Sequence, residues 1–203
     1  MNSELKIIST KNNKNLIISF GGGINKFGGI CPFEFLNFLN KNFVDHDKYF
    51  YIDKKKNRYH LGIEDISSNI GETVEYLKKI IHGYKNITCV GVSAGGYASI
   101  LFGSLLNVQN VIAFIPPTQT NTPNDIRFFD KKYADLLPLI NNTTKYYLHG
   151  DLSVKNIYDS HHIEHCNRLK IYPNVVVKEY DNLDIKKLRN DGELLKIFED
   201  ILN

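Results

Sequence analysis

One serine of this chain stands where a serine can act as a nucleophile. The stretch Cys89-Val90-Gly91-Val92-Ser93-Ala94-Gly95-Gly96-Tyr97 sets Ser93 between glycines at the end of an apolar run. Gly-x-Ser-x-Gly is the spacing that a sharp strand-to-helix turn demands, because side chains two positions either side of the serine would collide with the neighbouring strand and helix. The chemistry would be attack of a hydroxyl on a carbonyl carbon. That step needs a base to take the serine proton, an acid to orient the base, and N–H donors for the oxyanion that develops.

Those groups have to be carried by regular elements, and short β-branched and aromatic runs alternate with longer helical patterns from end to end. Strands are expected at 5–9, 15–20, 48–53, 87–92, 110–115, 145–149 and 174–180, and helices at 33–41, 67–84, 94–106, 130–139, 159–170 and 185–201. This alternation predicts the α/β class: a mainly parallel sheet flanked by helices on both faces, in three layers. The first two strands are close enough to form an antiparallel hairpin at one edge, with "TKNNKN" as the turn. With no internal repeat or linker, the 203 residues read as one domain.

The serine turn meets its context. "ITCVGV" is a buried strand, and "AGGYASILFGSLL" continues as a helix whose small first residues pack closely on the sheet. With "FGGGINKFGGICPFEFLNFL" before it and "KKLRNDGELLKIF" after it, the chain resembles a compact α/β-hydrolase. The resemblance covers most of the chain in order of elements, and only the serine turn is highly specific. It implies oxyanion donors from the backbone N–H of Ala94 and from the loop after an early strand, here Gly21, Gly22 and Gly23. It implies an acid after the strand at 145–149, where Asp151 and Asp159 both stand, Asp159 favoured slightly because the intervening loop can fold it back to the serine.

The base departs from the pattern. In the family order the histidine lies between the last strand and the C-terminal helix, but that loop reads Tyr180-Asp181-Asn182-Leu183-Asp184 and no histidine follows His165. A relocated base has to come from His161, His162 or His165, with His162 carried forward as the candidate; His60 and a buried Asp184 are the other options. The expectation is a serine in a nucleophile's geometry that is only weakly activated. The function expected is an esterase or acyl transfer on a small-molecule or glycan ester, the glycan context resting on likeness to hydrolase-like proteins of polysaccharide biosynthesis. A degenerate hydrolase fold serving as a binding or partner module is the second reading.

Composition narrows the alternatives. The formal charge is +3 with acidic and basic residues interspersed, so no nucleic-acid face is expected. No apolar run approaches the ~20 residues of a membrane span, and the N-terminal runs are broken by lysines, so no membrane partner and a cytoplasmic location are expected. Cys31, Cys89 and Cys166 read as reduced thiols, and "HHIEH" offers two spaced histidines without a third ligand, so neither metal nor cofactor is expected. The run 54–58, "KKKNR", reads as a solvated loop or as a cationic rim for an anionic substrate, with Arg127 adding to it, and 116–129 as a crossover or a lid above Ser93.

Overall fold

The computed structural model describes residues 2–9, 14–22, 33–119 and 130–202. Seven strands form one sheet: β1 (Glu4–Ile7), β2 (Asn15–Phe20), β3 (Asp47–Tyr51), β4 (Asn86–Val92), β5 (Asn110–Phe114), β6 (Lys145–Asp151) and β7 (Val175–Tyr180). Their order is β1-β3-β2-β4-β5-β6-β7, and every pairing is parallel except that of β1 with β3. The helices are α1 (Leu36–Asn42), α2 (Ile70–Ile81), α3 (Ala94–Leu106), α4 (Glu164–Asn167), α5 (Ile185–Asn190) and α6 (Glu193–Leu202).

Period-2 alternation sorts the core into two faces. Leu16, Ile18 and Phe20 of β2 point with Cys89 of β4 towards α2 and α3, while Ile17 and Val90 point towards α1 and α6. The α/β sandwich of three layers is therefore as expected. Helix α3 is buried continuously over Gly95–Ser104, a helix apolar nearly all round, which is what a helix sunk between sheet and neighbours requires.

Three expectations are corrected. β1 and β2 are not a hairpin: β2 is occupied on both sides by β3 and β4, and β1 pairs across to β3, with Glu4 opposite Tyr51. β2 is almost wholly buried and β1 only partly, which suits a central and an edge strand respectively. The helix expected over 185–201 is two, because Gly192 takes φ 79 and breaks it between α5 and α6. Around 130–139 the chain makes two short 3-10 turns, Lys131–Tyr133 and Leu137–Leu139, instead of a helix.

Candidate active site

Ser93 joins β4 to α3 with φ 53 and ψ −118, a backbone conformation rare for any residue with a side chain. Such a position costs about 1–3 kcal/mol and persists only where its surroundings enforce it. Here they do: the Ser93 N–H donates to the Phe114 carbonyl at 2.9 Å, and the Tyr97 N–H donates to the Ser93 carbonyl at 2.9 Å. The glycines explain the spacing sterically. A Cβ on Gly91 would sit 2.3 Å from the Gly95 carbonyl carbon, and one on Gly95 would sit 2.0 Å from the Phe20 oxygen. The first turn of α3 lies directly on the ends of β2 and β4.

An imidazole reaches the serine from the loop after β6. His161 Nε2 lies 2.7 Å from Ser93 Oγ, so with the ring proton on Nδ1 the nitrogen accepts the serine O–H. Its other nitrogen faces Asp159, with Nδ1 and Oδ1 3.6 Å apart. That separation is beyond a hydrogen bond; it is an electrostatic contact that strengthens when the ring is protonated. Asp159 holds the backbone more firmly than the ring, because Oδ1 accepts the His161 N–H at 2.9 Å in an Asx turn. His161 and Asp159 are 36% and 45% exposed at the side chain, so a charge that forms on the imidazole is partly hydrated.

The remaining sequence candidates lie elsewhere. His162 does not face Ser93: its main chain bridges to Asp151 and its Nδ1 accepts the Glu164 N–H at 3.2 Å, which turns the ring onto the start of α4. Asp151, at the end of β6, accepts the Ser153 N–H at 2.8 Å and closes a tight turn. His165 is buried, and its Nδ1 accepts the Thr118 N–H at 3.0 Å. His60 is also buried: Nδ1 accepts the Asp130 N–H at 3.2 Å, so the opposite nitrogen carries the proton towards Tyr97 Oη at 2.7 Å. Asp184 caps α5, accepting from the Lys186 and Lys187 amides, and is no base.

The glycine donors need correction as well. The Gly21 N–H donates to the Tyr51 carbonyl at 2.8 Å and is already engaged, and the Glu34 carboxyl crowds Gly22, with Oε1 3.1 Å from where a Cβ would stand. Gly23 lies outside the described residues, as do Cys31, Arg127 and all of 120–129. Ala94 opens α3, and an amide in the first turn of a helix has no carbonyl within that helix to bind. The loop at 116–129 is therefore described only at its start. There Thr118 is buried, and its hydroxyl donates to the His165 carbonyl at 2.7 Å.

Sequence reasoning missed Glu34. Its carboxyl is drawn inside although the residue keeps some exposed surface; Oε2 accepts the Val92 N–H at 3.1 Å, and burial pushes the group up to about 7 against the pull of the Val92 and Gly22 amides. It lines a cleft of about 340 Å3 with Phe33, Phe38, Val92, Ile185 and Arg189. A lone Glu in the aromatic run "CPFEFLNFL" was the signal available. The "KKKNR" run is not a solvated loop throughout: Lys54 pairs with Glu64 at 2.7 Å, while Asn57 and Arg58 are buried. Burial first, then the charges of Arg58 and Arg168, lowers His165 to about 4. His149, stacked on Phe114 at 4.5 Å, is lowered by burial to about 3. Among the described residues no group of three or more His, Cys, Asp or Glu converges as a metal site, and no helix is long and apolar enough to cross a membrane.

No family model matches the chain, and no curated protein does. Solved structures do. The capsule O-acetyltransferase of Neisseria meningitidis serogroup A superposes with a TM-score of 0.66 at 16% identity, covering 98% of this chain and 92% of that one. A lipase-esterase related protein from Clostridium acetobutylicum gives 0.62 at 14% identity, covering 98% of each chain. An S-formylglutathione hydrolase from Agrobacterium tumefaciens gives 0.63 at 11% identity, covering 94% of this chain and 85% of that one. Identities this low speak for the fold alone, and together with the sheet order and the strained serine turn they show that this chain has an α/β-hydrolase-like fold.

Proposed function

We propose that the protein is an acyl-transfer enzyme of the serine-hydrolase type, acting on an ester through Ser93, with His161 as general base and Asp159 as its orienting acid. The contact that carries this reading is the 2.7 Å approach of His161 Nε2 to Ser93 Oγ. Ser93 Oγ attacks the carbonyl carbon while its proton passes to His161, and the Ala94 N–H receives the oxyanion. Collapse of the tetrahedral adduct returns that proton to the departing alkoxide and leaves an acyl-Ser93 ester. Water or a bound alcohol then attacks the ester, with His161 taking its proton and handing it back to Ser93.

Esterase and O-acyl transferase differ only in which hydroxyl takes the acyl group in that second half. The similarity in fold to a capsule O-acetyltransferase supports a sugar hydroxyl as acceptor, and the lipase-esterase related protein supports water. A non-catalytic partner module is the weaker reading, because it rested on an absent base and an imidazole stands at the serine. The premise for weak activation falls with it. A fluorophosphonate probe tests the proposal without knowledge of the substrate: Ser93 should be labelled, and Ser93→Ala and His161→Ala should each abolish labelling. Labelling that survives His161→Ala, or none in the unaltered protein, would overturn it.

A further inference from the structure

We propose that Glu34 is a positioning residue for this site, its carboxylate tying the backbone that leaves β2 to the residue preceding the nucleophile. The inference rests on the acyl-transfer reading of Ser93. One oxygen, Oε2, accepts the Val92 N–H at 3.1 Å; the other, Oε1, lies against Gly22, 3.1 Å from where a Cβ would stand. Gly22 follows β2 and Val92 ends β4, both past the last β2–β4 pair, Phe20 with Gly91. Beyond that pair the β2–β4 ladder has ended, and the carboxylate stands between the two segments.

Independent features show that the chain is arranged to deliver this side chain. Ser19 Oγ donates to the Glu34 carbonyl at 2.9 Å, fixing its main chain over β2. Phe35, the next residue, takes φ 61 and ψ 3, a left-handed conformation that a bulky aromatic adopts only under constraint, and no side chain caps α1 there. Gly22 is closely fitted too: a Cβ would stand 3.0 Å from the Val92 oxygen and 3.1 Å from Glu34 Oε1. The strain and the two close approaches converge on one carboxyl, beside the backbone that leaves β2 at Gly21 and Gly22.

Ionised, the group is a charged acceptor for the Val92 amide; protonated, it is a weaker one. Its burial-raised position near 7 makes that change accessible in ordinary buffers. Among the described residues, the titratable and charged groups around it are Tyr59, Lys186 and Arg189, and His161 beyond Ser93. Tyr59 follows β3 and stays neutral; its hydroxyl donates to the Gly21 carbonyl at 2.9 Å. Lys186 and Arg189 of α5 line the same cleft, whereas Asn37 of α1 and Leu194 of α6 bring no charge.

The test compares Glu34→Gln and Glu34→Ala with the unaltered protein in two measurements. In the first, fluorophosphonate labelling of Ser93 is followed from pH 5 to 9. The maximal rate should fall about 10- to 100-fold in both variants with the probe's apparent affinity little changed, as expected for misplacement on the order of 1 Å. The profile should lose one ionisation near 7. Labelling at the unaltered rate with the same profile overturns the proposal. The second measurement, hydrogen exchange at the Gly22 and Val92 amides, does not depend on activity. Faster exchange at these two amides, with the β5 and β6 amides unchanged, supports the tie; unchanged exchange overturns it even if Ser93 proves unreactive. General loss of protection in both variants also overturns it, since Glu34 would then support the whole fold and not the site.

Discussion

His161 and His165 stand four residues apart and lead opposite lives. His161 points a nitrogen at Ser93 from a partly exposed turn, 2.7 Å from the hydroxyl. His165, one turn further on, is buried, and its Nδ1 is committed to the Thr118 amide. Burial and the positive charges of Arg58 and Arg168 keep His165 neutral, whereas His161 has a carboxylate beside it and water over part of its ring. A base that must accept a proton needs somewhere to put the charge; a packing histidine needs the reverse. On the proposed reading one segment supplies both, by turning sharply at Asp159 and entering α4 at Glu164.

The comparison breaks most severely at His161. His161→Ala should lower the acylation rate of a simple ester on the order of 10³- to 10⁴-fold, measured as the burst of product release, while leaving the melting temperature close to the original. The next effect is on stability in acid. His165 sits near 4 when folded against 6.5 ordinarily, so the unfolded chain binds the proton first; the stability is present above pH 6.5 and lost as pH falls through 4. His149 works in the same direction down to about 3. His165→Gln, which keeps an acceptor for Thr118, should shrink the loss of stability between pH 6.5 and 4 by roughly 3 kcal/mol in urea titrations. An unchanged acid limb would mean that His165 is not held neutral.

Asp159→Asn should cost less, about 10-fold in acylation, because its oxygen stands 3.6 Å from the ring and an asparagine can still accept the His161 N–H. A loss beyond about 10³-fold would show that the pair closes to a hydrogen bond when substrate binds. His162→Ala marks the small end. With its ring turned onto the Glu164 amide, it should change acylation by less than about 2-fold, within the ±0.5 kcal/mol typical of such surface changes.

The serine turn was legible in the sequence because its demands are local. Gly91 and Gly95 face backbone atoms of the same turn and of β2, and no other residue fits there. The parallel sheet was legible for a similar reason, since each strand's burial shows in its own residues. Which histidine stands at the serine was not. His161, His162 and His165 have the same composition around them, and the choice falls to a two-residue Asx turn and a backbone bridge between Asp151 and His162. The β1 pairing was hidden because closeness in sequence favours a hairpin, while the sheet had already filled both sides of β2. Glu34 was hidden because a carboxylate among phenylalanines gives no sign of the amides it will meet.

The relocated imidazole changes what the chain downstream of it has to conserve. Ser93, Asp159 and His161 all precede β7, and α5 and α6 serve mainly packing, through Leu188, Leu194, Ile197 and Phe198, with Lys186 and Arg189 at the edge of the Glu34 cleft. Selection on that stretch therefore acts on volume and apolarity, which many sequences satisfy. Its amino acids can drift rapidly while the chemistry stays put, and homologues should share the span from Ser93 to His161 long after their final helices have ceased to align.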